Sequence, residues 1–497
     1  MASLGDIPAG EFREALHRAA DWIADYRETI ESRRITPRLA PGDIASTLPA
    51  RAPQTPVPLA AILDDLDRLI MPGIVHWGHP AFLGYFGSTT TAPGILGEMI
   101  AAALNVSAMT WRTSPAATEL ETVVLDWMRA MIGLPDGVQG IVYDTASIAT
   151  LHALAAAREA IGLDVRREGL AGRGEVPRLM IYTSEQAHSS VDKAAITLGL
   201  GETSVRRVST DPEYRMSAAA LRAAIARDLR LRRRPLAVVA TVGTTSTTAV
   251  DPVPEIADVC HEHGLWLHVD AAYGGAMGAL PEGRWAMRGV ERADSVVVNP
   301  HKWLFVPLDF SPLYTRRPDM LRAVFSLVPE YLRGDAAHAE RNYMDYGLQL
   351  GRRFRALKAW MVLCAFGVEG VVARIREHRR LAALLAGWID AEPGFERAAP
   401  VTMGVVCFRA TPAGVHGVAL DDFNERLAAA VNGSGEVYLT HTRLRGRLWL
   451  RVAVGNVLTT ERHLGHTWDV LRRFTERAGA LGSPLAAGRG SGLRSPA

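Results

Sequence analysis

The chain has 497 residues, 48% of them hydrophobic and 22% charged, with 55 Lys+Arg against 53 Asp+Glu. A net charge of +2 sets up no field able to gather nucleic acid or an anionic membrane. No run approaches the ~18 uninterrupted apolar residues of a membrane span. The opening MASLGDIPAGEFREAL lacks the basic-then-apolar pattern of a secretory signal, so a cytoplasmic protein with neither nucleic acid nor membrane as partner is expected.

Taken in chain order, residues 10–35 place Phe12, Leu16, Ala19, Ile23, Tyr26 and Ile30 at three-to-four spacing, which predicts an amphipathic helix. Pro-rich sequence follows (RITPRLAPGD, LPARAPQTPVP) that cannot be regular helix. From about 90 to 310 the signals alternate. GIVYDTASIATLHALAAAREA reads as strand, turn and helix; a strand over 178–183 leads to a helix from about 189. A buried strand over 236–242 enters a Thr-rich loop, and LWLHVD and ADSVVVNP supply two more strands. Short apolar β-branched runs separated by helices predict an α/β fold with a mostly parallel sheet flanked by helices. An Arg-rich helix around 352–380 leads to a small C-terminal α+β domain with helices at about 420–431 and 461–477. The end, GSPLAAGRGSGLRSPA, reads as a disordered tail. The expected boundaries are therefore 1–88 for an N-terminal helical and extended segment, 89–378 for the large domain, 379–480 for the small domain, and 481–497 for the tail.

Three scattered cysteines (Cys260, Cys364, Cys407) exclude a disulfide scaffold. His261 and His263 lie two apart on a helix and face opposite ways, so no metal site is expected. The Arg-rich stretches DVRREGLAGRGEVPR and RDLRLRRRP are interrupted by acids and read as solvated helix faces.

Only three of the 55 basic residues are lysine: Lys193, Lys302 and Lys358. A lysine that survives such a bias is a candidate for chemistry a guanidinium cannot do, because arginine stays protonated and cannot condense with a carbonyl. Parallel sheets bind ligands at the carboxyl ends of their strands, and the polar residues cluster there: Ser184 to His188, Thr241 to Thr248, Asp270, and Asn299 to Lys302. No G-x-G-x-x-G, G-x-x-x-x-G-K-[ST] or G-x-S-x-G is present, which disfavours a dinucleotide, a nucleoside triphosphate and a hydrolase elbow. Pyridoxal phosphate needs a lysine, an acid for the ring nitrogen, phosphate donors and walls for the ring. Lys302 and Asp270, at successive strand ends, meet the first two needs. Lys193, within a helix, and Lys358, on an Arg-rich helix, read as surface or ion-pair residues.

HVDAAYGG (268–275) with NPHKW (299–303) resembles the group II pyridoxal-phosphate decarboxylases, and within them the aromatic-L-amino-acid decarboxylases. The resemblance extends to HWGHPAFLGYF (76–86), SPAATELE (114–121), EQAHSSVDKA (185–194), LGRRFRALKAW (350–360) and GVEGV (367–371). It implies the aspartate-aminotransferase-like fold (fold type I), a homodimer with active sites at the interface and an exchanged N-terminal helix, and conversion of an aromatic amino acid to its amine and carbon dioxide. By resemblance Lys302 carries the cofactor aldehyde, Asp270 pairs with the ring nitrogen, and His188 and Ala272 cover the two ring faces. Ala146, Ser147, Asn299 and His301 would serve the phosphate, with Thr245 nearby. Trp77, Tyr85, Phe86, Ser88 and Met109 map to the substrate pocket, Met109 reaching the neighbouring subunit's site. Tyr343, counted back from LGRRFR in a polar segment expected to be a mobile lid, maps to the tyrosine associated with protonating Cα. Where phenylalanine replaces that tyrosine, related proteins make aldehydes. An aromatic aldehyde synthase is the alternative, and another carbon–carbon lyase on the same cofactor is less favoured.

Four positions depart from the family pattern: Asp144 where glycine is common, Ile148 where an acid is common, Gly87 in place of proline, and Met109 in place of an aromatic. An anionic Asp144 beside a phosphate is repulsive unless it points away or caps the helix.

Overall fold

The computed structural model describes residues 5–87, 89–327 and 341–480. Seven strands, β1 (Gln139–Tyr143), β2 (Leu179–Ser184), β3 (Val205–Val208), β4 (Arg234–Thr241), β5 (Trp266–Asp270), β6 (Ser295–Val297) and β7 (Ser311–Thr315), form one sheet of order β1-β7-β6-β5-β4-β2-β3. All the pairings from β3 to β6 are parallel, and β7 runs antiparallel between β6 and β1. This is the expected α/β architecture. Two strands were not foreseen. β3 is an edge strand with the sequence VRRV, too short and too basic to read as a strand. β7 carries Pro312, which ordinarily argues against a strand; here Pro312 still accepts a hydrogen bond, from the Val298 amide at 3.1 Å.

Burial on both faces explains the continuous apolar runs. Val238 and Ala240 of β4 join one core with Tyr182, Val269, Ile256 and Met128, whereas Val239 joins the opposite core with Ile181, Ala156 and Leu154. That alternation is the period-two signature of a strand covered by helices on either side. The register sets the chemistry. Thr241 of β4 lies beside Asp270 of β5, and Asp270 beside Val297 of β6, so three carboxyl ends finish level.

The chain divides into two compact units. One comprises Phe86–Phe408 and Arg451–Val457 and holds the seven-stranded sheet; the other comprises Met1–Tyr85, Arg409–Leu450 and Leu458–Ala497. The N-terminal segment and the C-terminal portion thus group together, although the sequence reading set them apart at 88 and 379. The helix Ala356–Ala391 stays whole within the larger unit and is kinked at Gly367, whose φ of 63° suits glycine. A second sheet has the order β10-β11-β9-β8, with β8 at Phe395–Arg397, β9 at Val405–Ala410, β10 at Thr440–Leu444 and β11 at Arg447–Ala453. The expected tail, 481–497, lies outside the described residues.

One buried ion pair anchors β1. Arg352 donates to Glu121 Oε1 at 2.6 Å and Oε2 at 3.1 Å, and to the carbonyls of Ala108 at 2.9 Å and Val142 at 3.0 Å. Glu121 in turn accepts from the Val142 amide at 3.2 Å. Both side chains are 5% exposed or less. Removing one charge strands the other in the interior, so Glu121→Gln is expected to cost about 3 kcal/mol of unfolding free energy in urea denaturation. A loss under about 1 kcal/mol would show that the pair is not the anchor.

Candidate active site

The short helix Pro300–Trp303 begins three residues after β6 ends and carries Lys302. Its backbone is tied to the neighbouring strand end: the Asn299 amide donates to the Ala272 carbonyl at 3.0 Å, and the Lys302 amide to the Asn299 carbonyl at 2.9 Å. Ala272 follows β5, and its own amide donates to Asp270 Oδ1 at 3.0 Å. Lys302 and Asp270 are therefore held by one hydrogen-bonded pair of turns at the carboxyl edge of the sheet. Gly274 allows that packing. Its amide donates to the Val242 carbonyl at 3.1 Å, and a Cβ there would meet that carbonyl oxygen at 2.4 Å.

The Lys302 amine makes no hydrogen bond or ion pair to any described residue. It lies 5.0 Å from the centroid of the Phe86 ring. Burial pushes its pKa below the ordinary lysine range and the Arg451 cation adds to that, while the Asp270 carboxylate opposes both. His188 feels the same charges: its pKa is lowered by burial first, raised by Asp270 and lowered by Lys302. His188 Nδ1 accepts from the Ser190 amide at 3.1 Å, which leaves Nε2 to carry the ring proton. His301 is also a neutral donor. Burial brings its pKa down to about 3, and its Nδ1 accepts from the Phe310 amide at 3.0 Å.

On β1's side, the helix Ala146–Ala160 opens with Thr145 as N-cap, its hydroxyl accepting from the Ile148 amide at 3.4 Å. The Ala146 and Ser147 amides lie in the first turn, where a helix has no internal acceptors and favours an anion. Ser190 Oγ, Thr241 Oγ1 and Asn299 Oδ1 are buried polar atoms with no hydrogen-bond partner among the described residues. Polar atoms left so at the carboxyl edge fit a site built for a polar ligand. An unbonded amine, a carboxylate one strand away, a neutral histidine and a helix N-terminus together fit pyridoxal phosphate. Thr245 is exposed in the loop after β4.

Phe86, in the larger unit, stacks on Tyr273 at 4.0 Å, and Tyr273 on Trp303 at 4.6 Å. Trp77 and Tyr85, in the other unit, stack on each other at 5.3 Å. There the Tyr85 hydroxyl lies 3.4 Å from that of Tyr438. Ser88 lies outside the described residues. Met109 is half-buried, and its carbonyl accepts from the Met344 amide at 3.1 Å.

Tyr343 is buried. It lies in the turn Tyr343–Tyr346, 1% exposed, with its hydroxyl 2.9 Å from Thr122 Oγ1 and the Arg352 guanidinium 4.6 Å over its ring. Burial pushes its pKa up to about 12. Its partners are those of the Glu121–Arg352 anchor, not of Lys302. Residues 333–340 of the expected lid lie outside the described residues. Lys193 is exposed, as expected, but Lys358 is no surface residue: it is 1% exposed and paired with Glu98.

Sequence reasoning missed Arg451. Its guanidinium lies 4.5 Å from the centroid of the Phe86 ring, and its Nε donates to the Ser246 carbonyl at 3.2 Å. The signal was a cation inside the apolar run LWLRVAV.

A mostly parallel sheet presenting a lysine and an aspartate at adjacent strand ends defines a protein that carries pyridoxal phosphate on its central sheet. The chain belongs to the pyridoxal-dependent decarboxylases, whose conserved-domain model matches residues 41–411. It is 38% identical to an aromatic-L-amino-acid decarboxylase of Sus scrofa, covering 93% of this chain and 96% of that one. It is also 38% identical to a phenylacetaldehyde synthase of Arabidopsis thaliana, covering 94% and 96%. A crystal structure of Oryza sativa TDC with PLP and tryptamine superposes with a TM-score of 0.91 at 36% identity, covering 96% of this chain and 99% of that one.

Proposed function

We propose that the protein decarboxylates an aromatic L-amino acid to the corresponding amine and carbon dioxide. The observation that carries this is the Lys302 amine, freed of hydrogen bonds and depressed in pKa, set at the strand end next to Asp270. Pyridoxal phosphate, when bound, supplies an electron-accepting ring that takes up the pair released as the Cα–carboxylate bond breaks. The chain supplies the rest. Lys302 would hold the cofactor through its aldehyde. Asp270 keeps the ring nitrogen protonated, because an adjacent carboxylate favours the cation. His188 and Ala272 cover the ring, and Ala146, Ser147, Asn299 and His301 meet the phosphate. Phe86 presents an aromatic wall to the substrate, a role shared with Trp77, Tyr85, Ser88 and Met109, as suits an aromatic side chain.

The relatives named above include both an amine-forming and an aldehyde-forming protein at equal identity, so the product must be measured. Incubation with phenylalanine, tyrosine, tryptophan and DOPA should give one amine per carbon dioxide. Aldehyde with ammonia and peroxide would establish the synthase instead. Tyr343→Phe tests the proton donor in the same assay. Its buried hydroxyl contacts Thr122 rather than the cofactor site, so the variant should lose about 1 kcal/mol of stability and keep the amine product. A switch to aldehyde in this variant would return the proton transfer to Tyr343.

A homodimer belongs to the same proposal. The helix Ala9–Thr29 buries none of its residues, leaving Phe12 at 56% and Leu16 at 40% exposure. Leu96, Ile100 and Leu104 expose one apolar stripe of the helix Ala92–Leu104. Such stripes ask for a partner surface, and sedimentation of an active monomer would refute it. Three free cysteines support a cytoplasmic location.

A further inference from the structure

Asp144 stands immediately before the N-cap of the helix whose first amides are proposed to hold the cofactor phosphate. A carboxylate there would compete with the phosphate for the same N–H groups and repel its charge. The structure shows where the carboxylate goes instead. Its Oδ1 accepts from Arg355 Nη2 at 2.5 Å and its Oδ2 from Gln349 Nε2 at 2.7 Å, so both oxygens are engaged by side chains and neither accepts from a first-turn amide of the helix. Arg355 is itself fixed from the other side, its Nε donating to Asp309 Oδ1 at 3.1 Å. Lys358 lies 4.0 Å from that same Asp309 oxygen and pairs with Glu98, to which Arg353 also donates at 2.8 Å.

The result is a chain of alternating charge, Asp144–Arg355–Asp309–Lys358–Glu98–Arg353, with three anions and three cations. Its central cations are buried, with side chains 8% exposed for Arg355 and 1% for Lys358. Buried cations stay put only while paired, which makes the chain a rigid strut rather than a set of surface contacts. The structure also accounts for a lysine at 358 in a protein that otherwise uses arginine. A Cβ at Gly97 would come within 2.5 Å of the Lys358 Cα, so the helix Ala92–Leu104 packs directly on the Lys358 backbone. A slim amine reaches Glu98 on that helix where a planar guanidinium needs more room.

We infer that Asp144 is a compensated charge beside the phosphate site, and that Arg355, braced by Asp309 and Lys358, is the positioning residue that turns its carboxylate away from the phosphate. The inference rests on the placement of the phosphate at Ala146 and Ser147. It makes cofactor affinity, through the phosphate alone, depend on residues that do not touch the cofactor.

The test is a cycle of dissociation constants for pyridoxal 5′-phosphate and for unphosphorylated pyridoxal, titrated by fluorescence into the cofactor-free full-length protein. Arg355→Gln should weaken pyridoxal 5′-phosphate about 10- to 30-fold, as expected for one unit charge released several ångströms away, and leave pyridoxal within about threefold. Asp144→Asn alone should change either constant by less than about threefold, and added to Arg355→Gln it should restore most of the lost affinity. Gln349→Ala, which frees only one carboxylate oxygen, should act in the same direction more weakly; it stands in if Arg355→Gln does not fold. Equal weakening by these variants with and without Asp144, or equal weakening of pyridoxal, overturns the inference. Ser147→Asp, which sets a carboxylate in the first turn that is proposed to hold the phosphate, separates the two readings. If it leaves the preference for the phosphorylated form intact, the phosphate placement fails; if it lowers that preference while the cycle is additive, only the role of Arg355 fails.

Discussion

Replacing Lys302 by arginine should abolish attachment of the cofactor and lower turnover at least about a thousandfold, the scale of loss when a covalent nucleophile is removed. The reason is protonation rather than charge. Burial and Arg451 depress the Lys302 pKa, so a neutral amine is available to the aldehyde, whereas a guanidinium keeps its proton throughout the working range. The chain makes the experiment unusually clean because it has only three lysines. After borohydride reduction of the wild-type holoprotein, peptide mapping should find the cofactor mass on the peptide containing position 302 and nowhere else. Lys358 is held by Glu98 within the interior, and Lys193 stands exposed on the helix Ser190–Thr197. Label on either of those peptides in the wild type, or label surviving in Lys302→Arg, would remove the basis of the proposed function.

Legibility in the sequence followed how local each constraint was. Lys302 and Asp270 could be placed because each follows an apolar β-branched run, and strand ends in a parallel sheet converge whatever the loops do. The two-sided burial of β2 and β4 was legible for the same reason. Asp144 could be seen to be a problem but not solved, since Arg355 lies 211 residues further on. β7 was hidden by Pro312, and no local pattern announces that an antiparallel strand will slot between β6 and β1. For Tyr343 the spacing from LGRRFR gave a position but carried no information on burial; the side chain is buried beside Thr122 and Arg352. Arg451 was overlooked because an arginine in a strand ordinarily points to solvent, and here Phe86 covers it.

Asp270→Asn should separate electrostatics from architecture at the ring nitrogen. Asparagine keeps an oxygen for the Ala272 amide, now bonded at 3.0 Å, so the turn that carries Asn299 and Lys302 should survive with little loss of stability. What disappears is a charge. A contact ion pair at about 4 Å and an effective dielectric of about 20 is worth roughly 4 kcal/mol, which converts to about a thousandfold in kcat if the pair acts mainly in the transition state. The substitution also has a signature that a merely structural defect lacks. The Asp270 carboxylate raises the pKa of both Lys302 and His188. Without it the cationic form of each is less favoured, so both pKa values move further down. Capture of pyridoxal phosphate by the cofactor-free protein requires the neutral amine, so its rate should rise with pH around a midpoint already below the usual lysine value of about 10.4. In Asp270→Asn that midpoint should lie lower still, even as the equilibrium grip on the ring is lost. A midpoint that stays in place or moves upward would mean that the 270 carboxylate does not face the amine, and the pairing of these two strand ends as one catalytic unit would have to be abandoned.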